Sequence, residues 1–206
     1  NEKSILVCFL DTETTGVNKS NDQIIELAFK VVEFEESSGK IISIKCEYES
    51  FNQPDKLIDN KITTLTGINN EMVKNKEIDW SKVDSLLKDV DFIVAHNARF
   101  DRAFVDRHSS ISSKKIWACS IKDIDWFSKG FSNQKQELLC YWHGFYCDAH
   151  RAMNDVDALI QLMIHPHYDK NRPILELIKN AKKIVCKILV TNFPYDEQKK
   201  DMIKSQ

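Results

Sequence analysis

The chain has 206 residues, of which 42% are hydrophobic, so it can bury one sizeable core without disulfides or a structural metal. It contains no apolar stretch long enough to span a bilayer and no recognisable signal peptide, so no association with a membrane is expected. The net charge of −2 excludes a strongly basic chain, but it does not exclude nucleic-acid binding, because bound metal ions can supply positive charge locally.

The six cysteines predict a reduced protein of the cytoplasm. None of them forms a Cys-x-x-Cys pair, and several lie inside apolar runs. The chain does not begin with methionine, which leaves open that it is a processed or excised piece.

The first predicted strand ends in two carboxylates. Residues 5–10 form a continuous apolar run, which is typical of a buried strand, and Asp11 and Glu13 follow it. Side chains two residues apart on an extended chain share a face, so both carboxylates can point at one ion. Gly16 then allows the backbone to turn. Hydroxyl groups beside the site are predicted to contact a nucleotide, namely those of Thr12, Thr14 and Thr15.

Two further strands are expected within residues 24–50, with a turn at residues 37–40. The apolar pattern of the second strand is interrupted by Glu26, which needs a partner if it is buried. A loop-rich segment is predicted up to about residue 78, and a helix follows at residues 80–87.

A second motif follows the apolar residues 92–95, which predict another short strand. This strand ends at His96 and Asn97, and a helix is expected from residue 99 to residue 107. Asp101 would then lie in the first helical turn. His96 is ambiguous, because a histidine at the end of a strand can also cap the next helix.

Residues 116–142 predict a short strand at 116–119 and helices at 121–127 and 134–142. Trp117 and Trp126 are assigned to packing, whereas a role for Trp142 in stacking on bases is left open. Lysines in this segment are weak evidence for a strand-binding patch, and they are Lys114, Lys115, Lys122, Lys129 and Lys135.

The third motif lies at the start of a helix predicted over residues 151–164. Asp155 lies at the edge of its apolar face, and His150 precedes the helix, where its side chain can reach a water molecule. We therefore expect Asp155 to bind metal and His150 to move a proton. The pair His165 and His167 has no nearby ligand to complete a metal site, so a structural role is favoured.

Carboxylates concentrated in this way repel one another unless a cation neutralises them. Hard oxygen ligands favour magnesium or manganese over zinc. The sequence therefore predicts an α/β layered domain that acts as a metal-dependent phosphodiester hydrolase.

The three motifs together resemble those of the DnaQ-like 3′-to-5′ exonucleases, the histidine variant of the DEDD superfamily. They are Asp11-x-Glu13-Thr-Thr-Gly16, His96-Asn97-x-x-Phe-Asp101 and His150-x-Ala-x-x-Asp155, in the order of the family. Residues 66–68 and 71–73 are similar to the family's connecting segment, so the resemblance covers roughly residues 5–165. It implies a ribonuclease H-like mixed sheet flanked by helices.

The resemblance also implies roles for the site residues. Asp11, Glu13 and Asp155 would hold the ion that activates the attacking water, and Asp11 would help to bind a second ion, with Asp101 at or near it. His150 would be the general base, because an imidazole can accept a proton near neutral pH. Both ions would be Mg²⁺ or Mn²⁺. Substrate contacts are expected from Thr12, Thr14, Thr15, Gly16 and Asn97.

By the same resemblance, residues 1–168 form the exonuclease domain and residues 169–206 form a short α/β C-terminal appendage. A helix at 173–183, a strand at 184–190 and a polar helix at 194–204 are expected there. A similar appendage occurs in one bacterial branch of the family, whose members usually continue further, so truncation is left open.

The expected reaction is the stepwise release of nucleoside 5′-monophosphates from a free 3′ end of a single strand. DNA is favoured over RNA, although no motif fixes that choice, since pocket side chains distinguish the 2′-hydroxyl. The alternative is a nucleic-acid-binding or polymerase-associated proofreading module whose main role is docking, with a DNA polymerase as partner.

Overall fold

One mixed five-stranded sheet organises residues 3–183, the part of the chain that the computed structural model describes. The strands are β1 (Ser4–Thr14), β2 (Ile24–Glu35), β3 (Ile41–Phe51), β4 (Phe92–Ala95) and β5 (Ile116–Cys119). Their order is β3-β2-β1-β4-β5, with β1, β2 and β3 antiparallel and with β4 and β5 parallel to β1. The predicted α/β mixed sheet is confirmed.

The described helices lie on both faces of the sheet and at its ends. They are α1 (Asn60–Thr66), α2 (Asn70–Val73), α3 (Trp80–Leu87), α4 (Ala98–Val105), α5 (Gln136–Trp142), α6 (Ala152–Ile164) and α7 (Pro173–Ala181). The expectation of loops up to residue 78 was wrong for α1 and α2. Asp59 and Asn69 accept hydrogen bonds from the first backbone amides of these helices, and Gly67 ends α1 in the left-handed conformation.

Side chains of β1 alternate between the two faces of the sheet, and the core has one layer on each face. Val7 and Phe9 pack in the cluster that includes α5, α6 and α7, whereas Cys8 and Leu10 pack in the cluster that includes α3 and α4. Odd-numbered side chains of β1 therefore face α6.

β1 continues beyond the end of its neighbour β4. Residues 7–9 of β1 pair with residues 92–94, and β4 ends at Ala95. The rest of β1 is therefore open on that side, at the carboxyl ends of the parallel strands. Ligands of open α/β sheets bind in such crevices.

The helix predicted at residues 121–127 was wrong, because the structure has turns there. The carboxylates of Asp123 and Asp125 accept hydrogen bonds from the backbone amides of Cys119 and Ser128, which competes with helical hydrogen bonding. The indole of Trp126 is fully buried and donates to the Ser120 carbonyl, as expected for a packing residue.

The start of the predicted appendage packs against the domain. Ile174, Leu177 and Ile178 of α7 belong to the same hydrophobic cluster as α6 and β1. The predicted strand at 184–190 and helix at 194–204 lie outside the described residues, and the boundary near residue 168 stays a prediction. Within residues 3–183, no helix has the length and apolar composition that crossing a membrane requires.

Candidate active site at the carboxyl edge of the sheet

Three carboxylates lie close together where β1 extends beyond the carboxyl end of β4. One oxygen atom each of Asp11, Glu13 and Asp155 lies within 4.8 Å of the others, and among the described residues this is the one such cluster with the composition of a metal site. Asp11 and Glu13 continue the odd-numbered face of β1, and Asp155 comes from the first turn of α6 on that face. The cleft around them has a volume of about 820 Å³.

The electrostatics of this cluster favour a bound cation. Burial, followed by repulsion from Asp155 and Glu26, raises the pKa of Glu13 to about 8. Burial raises the pKa of Asp155 to about 6. The pKa of Asp11 is also raised well above its ordinary value, by burial and then by the neighbouring carboxylates. Oxygen ligands that are held together against their repulsion match a hard divalent metal ion.

Asp101 reaches the same cleft from α4. Its Oδ1 accepts hydrogen bonds from the Thr12 amide at 3.1 Å and from the Thr12 hydroxyl at 2.9 Å. Thr12 points to the α4 side of β1 because it is an even-numbered residue of the strand. Burial raises the pKa of Asp101 to about 7, although the Thr12 hydroxyl opposes this shift. The second oxygen, Oδ2, accepts no hydrogen bond from another residue of the described part of the chain.

His150 lines the cleft and is exposed. Its φ is +69°, in the left-handed region that few residues other than glycine and asparagine adopt. The His150 amide donates to Asp155 Oδ2 at 2.8 Å, which fixes the backbone of the histidine beside the carboxylate cluster.

Glu26 is fully buried, and its predicted need for a partner is met by Arg151. The guanidinium donates to Glu26 at 2.8 Å and 3.2 Å, and the amide of Ala152, the first residue of α6, donates at 2.9 Å. Glu26 lies directly opposite Glu13 in the β1–β2 register. The pair therefore neutralises a carboxylate beside the cluster and fastens the start of α6 to the sheet.

Gln136, the first residue of α5, is a site residue that the sequence does not predict. Its side-chain amide donates to Oδ1 of Asp155 at 3.0 Å and to the Asp155 carbonyl at 2.9 Å. These bonds join residues 19 positions apart, and no local pattern marks a glutamine for such a contact. Gln136 therefore donates to one Asp155 oxygen and the His150 amide donates to the other.

His96 does not cap α4. Its Nδ1 bonds with the Ser120 hydroxyl at 2.7 Å and its Nε2 with the Gln134 carbonyl at 2.8 Å. Burial lowers the pKa of His96 to about 4, so the ring is neutral at physiological pH. It ties the strand ends to residues 132–137, which form one wall of the cleft.

The residues predicted to contact substrate separate into two groups. Thr12 and Asn97 line the cleft, and Asn97 is exposed there. Thr14 and Thr15 use their hydroxyls inside the turn after β1, bonded to the Gly16 carbonyl and to Asp22. Gly16 lies so close to Asp22 that a Cβ would be 2.5 Å from a carboxylate oxygen, so a side chain at residue 16 would require the Asp22 carboxylate to move.

The remaining candidates differ in their surroundings. His165 belongs to a cluster of rings with His143 and Tyr168, and no metal-binding group forms around it within residues 3–183. Lys129 pairs with Glu176, and the ammonium of Lys115 donates to the carbonyls of Lys88 and Val90. Lys122 and Lys135 are exposed and make no ion pair with any described residue.

Comparison with known proteins identifies the family. The exonuclease family RNase_T matches residues 8–163. DNA polymerase III PolC-type of Listeria innocua is 35% identical over 188 residues, which cover 86% of this chain and 12% of that protein. The 3′-5′ exonuclease DinG of Bacillus subtilis is 32% identical over 157 residues, covering 72% of this chain and 16% of that protein. The chain thus spans a small part of these relatives.

Solved structures support the fold. Exonuclease I of E. coli, in a complex with single-stranded DNA, superposes with a TM-score of 0.62 at 18% identity over 87% of this chain and 41% of that one. Exonuclease X, in complex with 5′-overhanging duplex DNA, superposes with a TM-score of 0.58 at 22% identity, over 85% of this chain and 99% of that one. The chain belongs to the exonuclease family RNase_T, the DnaQ-like group of the DEDD superfamily that its three motifs predict.

Proposed function

We propose that this chain removes nucleotides from the free 3′ end of a DNA strand by hydrolysis and releases nucleoside 5′-monophosphates. The convergence of Asp11, Glu13 and Asp155 with His150 and Asp101 in one cleft carries the proposal. The direction of digestion and the DNA substrate are supported by DinG, named a 3′-5′ exonuclease, and by the DNA complexes of exonucleases I and X.

The donor set fits Mg²⁺ or Mn²⁺. Asp11, Glu13 and Asp155 would hold one ion, and Asp11 with the free Oδ2 of Asp101 would serve a second. Such ions stabilise the charge on the attacking and leaving oxygens of a phosphodiester.

The protein groups would position the reactants and move the proton. His150 would accept the proton of the attacking water at its imidazole, which is exposed to the cleft. Gln136 and the His150 amide orient the two oxygens of Asp155, and Thr12 orients Asp101. Asn97 and Thr12 would contact the terminal nucleotide.

The test compares strands that differ only at their ends. A single strand with a 3′-hydroxyl should be shortened in Mg²⁺ or Mn²⁺ and left intact in a chelator, while the same strand with a 3′-phosphate resists. The products are identified by mass spectrometry. Equal cleavage of circular single-stranded DNA, or release of 3′-monophosphates, would contradict the proposal. An RNA strand of the same sequence tests the choice of sugar.

The similarity to PolC-type polymerases favours a second candidate, a proofreading module that works bound to a DNA polymerase. In that case the isolated chain should degrade a mismatched primer end faster when a polymerase is present. A cytoplasmic location stays a prediction, based on cysteines that are all free among the described residues.

A further inference from the structure

The exposed aromatic side chains of residues 3–183 all lie in one segment, residues 127–146. The exposed fractions are 59% for Phe127, 76% for Tyr141, 39% for Trp142 and 87% for Tyr146. The other large hydrophobic side chains with comparable exposure are aliphatic and lie elsewhere, for example Ile44 on the edge strand β3. Exposed aromatic rings that are concentrated in one segment of the chain indicate a binding surface there.

This segment borders the catalytic cleft. Phe127 lines the cleft directly. Tyr141 lies four residues after Glu137, which also lines it, so both occupy one face of α5 about 6 Å apart along the helix axis. Tyr146 lies three residues before Ala149, another lining residue. Each ring therefore lies on a segment that also contributes residues to the cleft lining.

The ring of Trp142 is fixed by stacking on a neighbouring ring. Trp142 stacks on Phe131 with ring centroids 5.6 Å apart and an interplanar angle of 23°, and Phe131 stacks on His143 at 4.7 Å. A ring that is already fixed loses little conformational freedom when a base stacks on it. Unpaired positive charge lies in the same wall, because Lys135 lines the cleft and is exposed.

We propose that Phe127, Tyr141, Trp142 and Tyr146 form a stacking surface for the bases of the single strand upstream of the bond that is cut. The inference rests on the proposed function and adds a binding site outside the metal cluster. Aromatic rings bind any base, because every base has a π-face, and lysines beside them attract the phosphates. Such a surface would hold the strand without selecting its sequence.

The test separates strand binding from chemistry. The variant Tyr141→Ala/Tyr146→Ala is assayed on a long single strand and on the p-nitrophenyl ester of thymidine 5′-monophosphate, which is too short to reach either tyrosine. On the strand, kcat/KM should fall about tenfold or more, through KM. On the ester it should stay at the wild-type value. Tyr141→Phe/Tyr146→Phe keeps the rings and should restore strand degradation. Ile44→Ala, a change at an exposed residue away from the cleft, is the matched control.

The strand provides the complementary change. The bases upstream of the terminal nucleotide are replaced by abasic sites. The kcat/KM of the wild type should then fall by the same factor as the alanine substitutions cause on the normal strand, and the kcat/KM of the alanine variant should fall little further. Equal losses in both proteins would overturn the proposal, as would an alanine variant that degrades the strand at the wild-type rate.

Binding measured without turnover keeps this inference separate from the proposed function. Fluorescence anisotropy of a labelled strand, in a chelator, reports the stacking surface even if the protein hydrolyses neither substrate. In that case a weaker binding of the alanine variant supports the surface while the exonuclease proposal fails. Wild-type affinity in the alanine variant would mean that the aromatic cluster serves another partner, such as a protein, and would overturn the inference.

Discussion

His150 differs from the neighbouring carboxylates in exposure and in backbone conformation. Its side chain is exposed, while its backbone has positive φ and is bonded to Asp155. Asn97 and Thr12 approach the cleft from other elements and make no hydrogen bond to the imidazole. Changing the ring therefore leaves the carboxylate oxygens of the cluster in place, provided that the new residue tolerates positive φ.

His150→Asn meets that condition, since asparagine adopts the left-handed region more readily than most residues. We expect kcat to fall by about 10² to 10⁴, because the proton acceptor is lost. A divalent ion should still bind, as measured by calorimetry, and raising the pH should restore part of the rate as hydroxide becomes available. Asp155→Ala, which removes a ligand, should lose both binding and turnover. If His150→Asn hydrolyses the strand at the wild-type rate, His150 is not the proton acceptor and has a structural role instead.

The part of this site that depends on local sequence could be predicted. The alternation of β1 predicts that Asp11 and Glu13 share a face, and the structure confirms it, because extended backbone allows no other arrangement. The contacts of Gln136 with Asp155 and of His96 with Gln134 could not be predicted, since they join distant residues through the tertiary fold. Phe127 was missed for the same reason.

At the scale of elements, the start of α6 is fixed by a buried charge pair. Glu26 on β2 accepts hydrogen bonds from Arg151 and from the first amide of the helix, so the start of the helix that carries Asp155 is bonded to the strand beside β1. Arg151 also lies over the ring of Phe51. Without it, Glu26 would be a buried charge opposite Glu13 with no cation beside it.

Arg151→Ala should therefore destabilise the protein by about 3 kcal/mol, because it leaves Glu26 charged and buried without its partner. The double variant Glu26→Leu/Arg151→Leu should recover part of that loss. The free energy of unfolding is measured in urea. The matched control is Lys74→Ala, which breaks an exposed pair with Glu71 and should cost less than about 1 kcal/mol. An equal loss in both single variants would contradict a special role for the Glu26 pair.

Elements with strong apolar periodicity were predicted well, and short or polar ones were not. The predicted bounds of α3 match the structure, because its apolar residues recur at helical spacing. α1 and α2 were missed, since they have seven and four residues and depend on capping by Asp59 and Asn69. The turns at 121–127 replace a predicted helix because aspartates bond the backbone there.

The two layers of the core together bring negative charge to one edge of the sheet. β1 contributes Asp11 and Glu13, and α4 and α6 add Asp101 and Asp155. The net charge of the chain is only −2, so the repulsion is local and does not come from the overall charge. A stable fold has to tolerate this cluster whenever no cation is bound.

Stability of the metal-free protein should therefore depend on pH in the direction opposite to that of salt-bridged carboxylates. Carboxyl groups in an unfolded chain have a pKa of about 4. In the folded protein, burial and repulsion raise the pKa of Glu13 to about 8, that of Asp101 to about 7 and that of Asp155 to about 6. The folded state binds more protons in this window, so stability is greatest below about pH 4 for these groups and is lost as the pH rises to about 8.

Divalent metal should reverse that loss, because it replaces the protons. We expect Mg²⁺ or Mn²⁺ to raise the melting temperature more near pH 8 than near pH 5, where protons compete for the same oxygens. Glu13→Gln removes a carboxyl group whose pKa is raised to about 8, so the metal-free melting temperature of this variant should exceed that of the wild type near pH 8 and respond less to metal. Thermal unfolding at the two pH values measures both effects. If the metal-induced shift is the same at both, the carboxylates do not titrate as ligands of the ion, because competition with protons necessarily makes their affinity depend on pH.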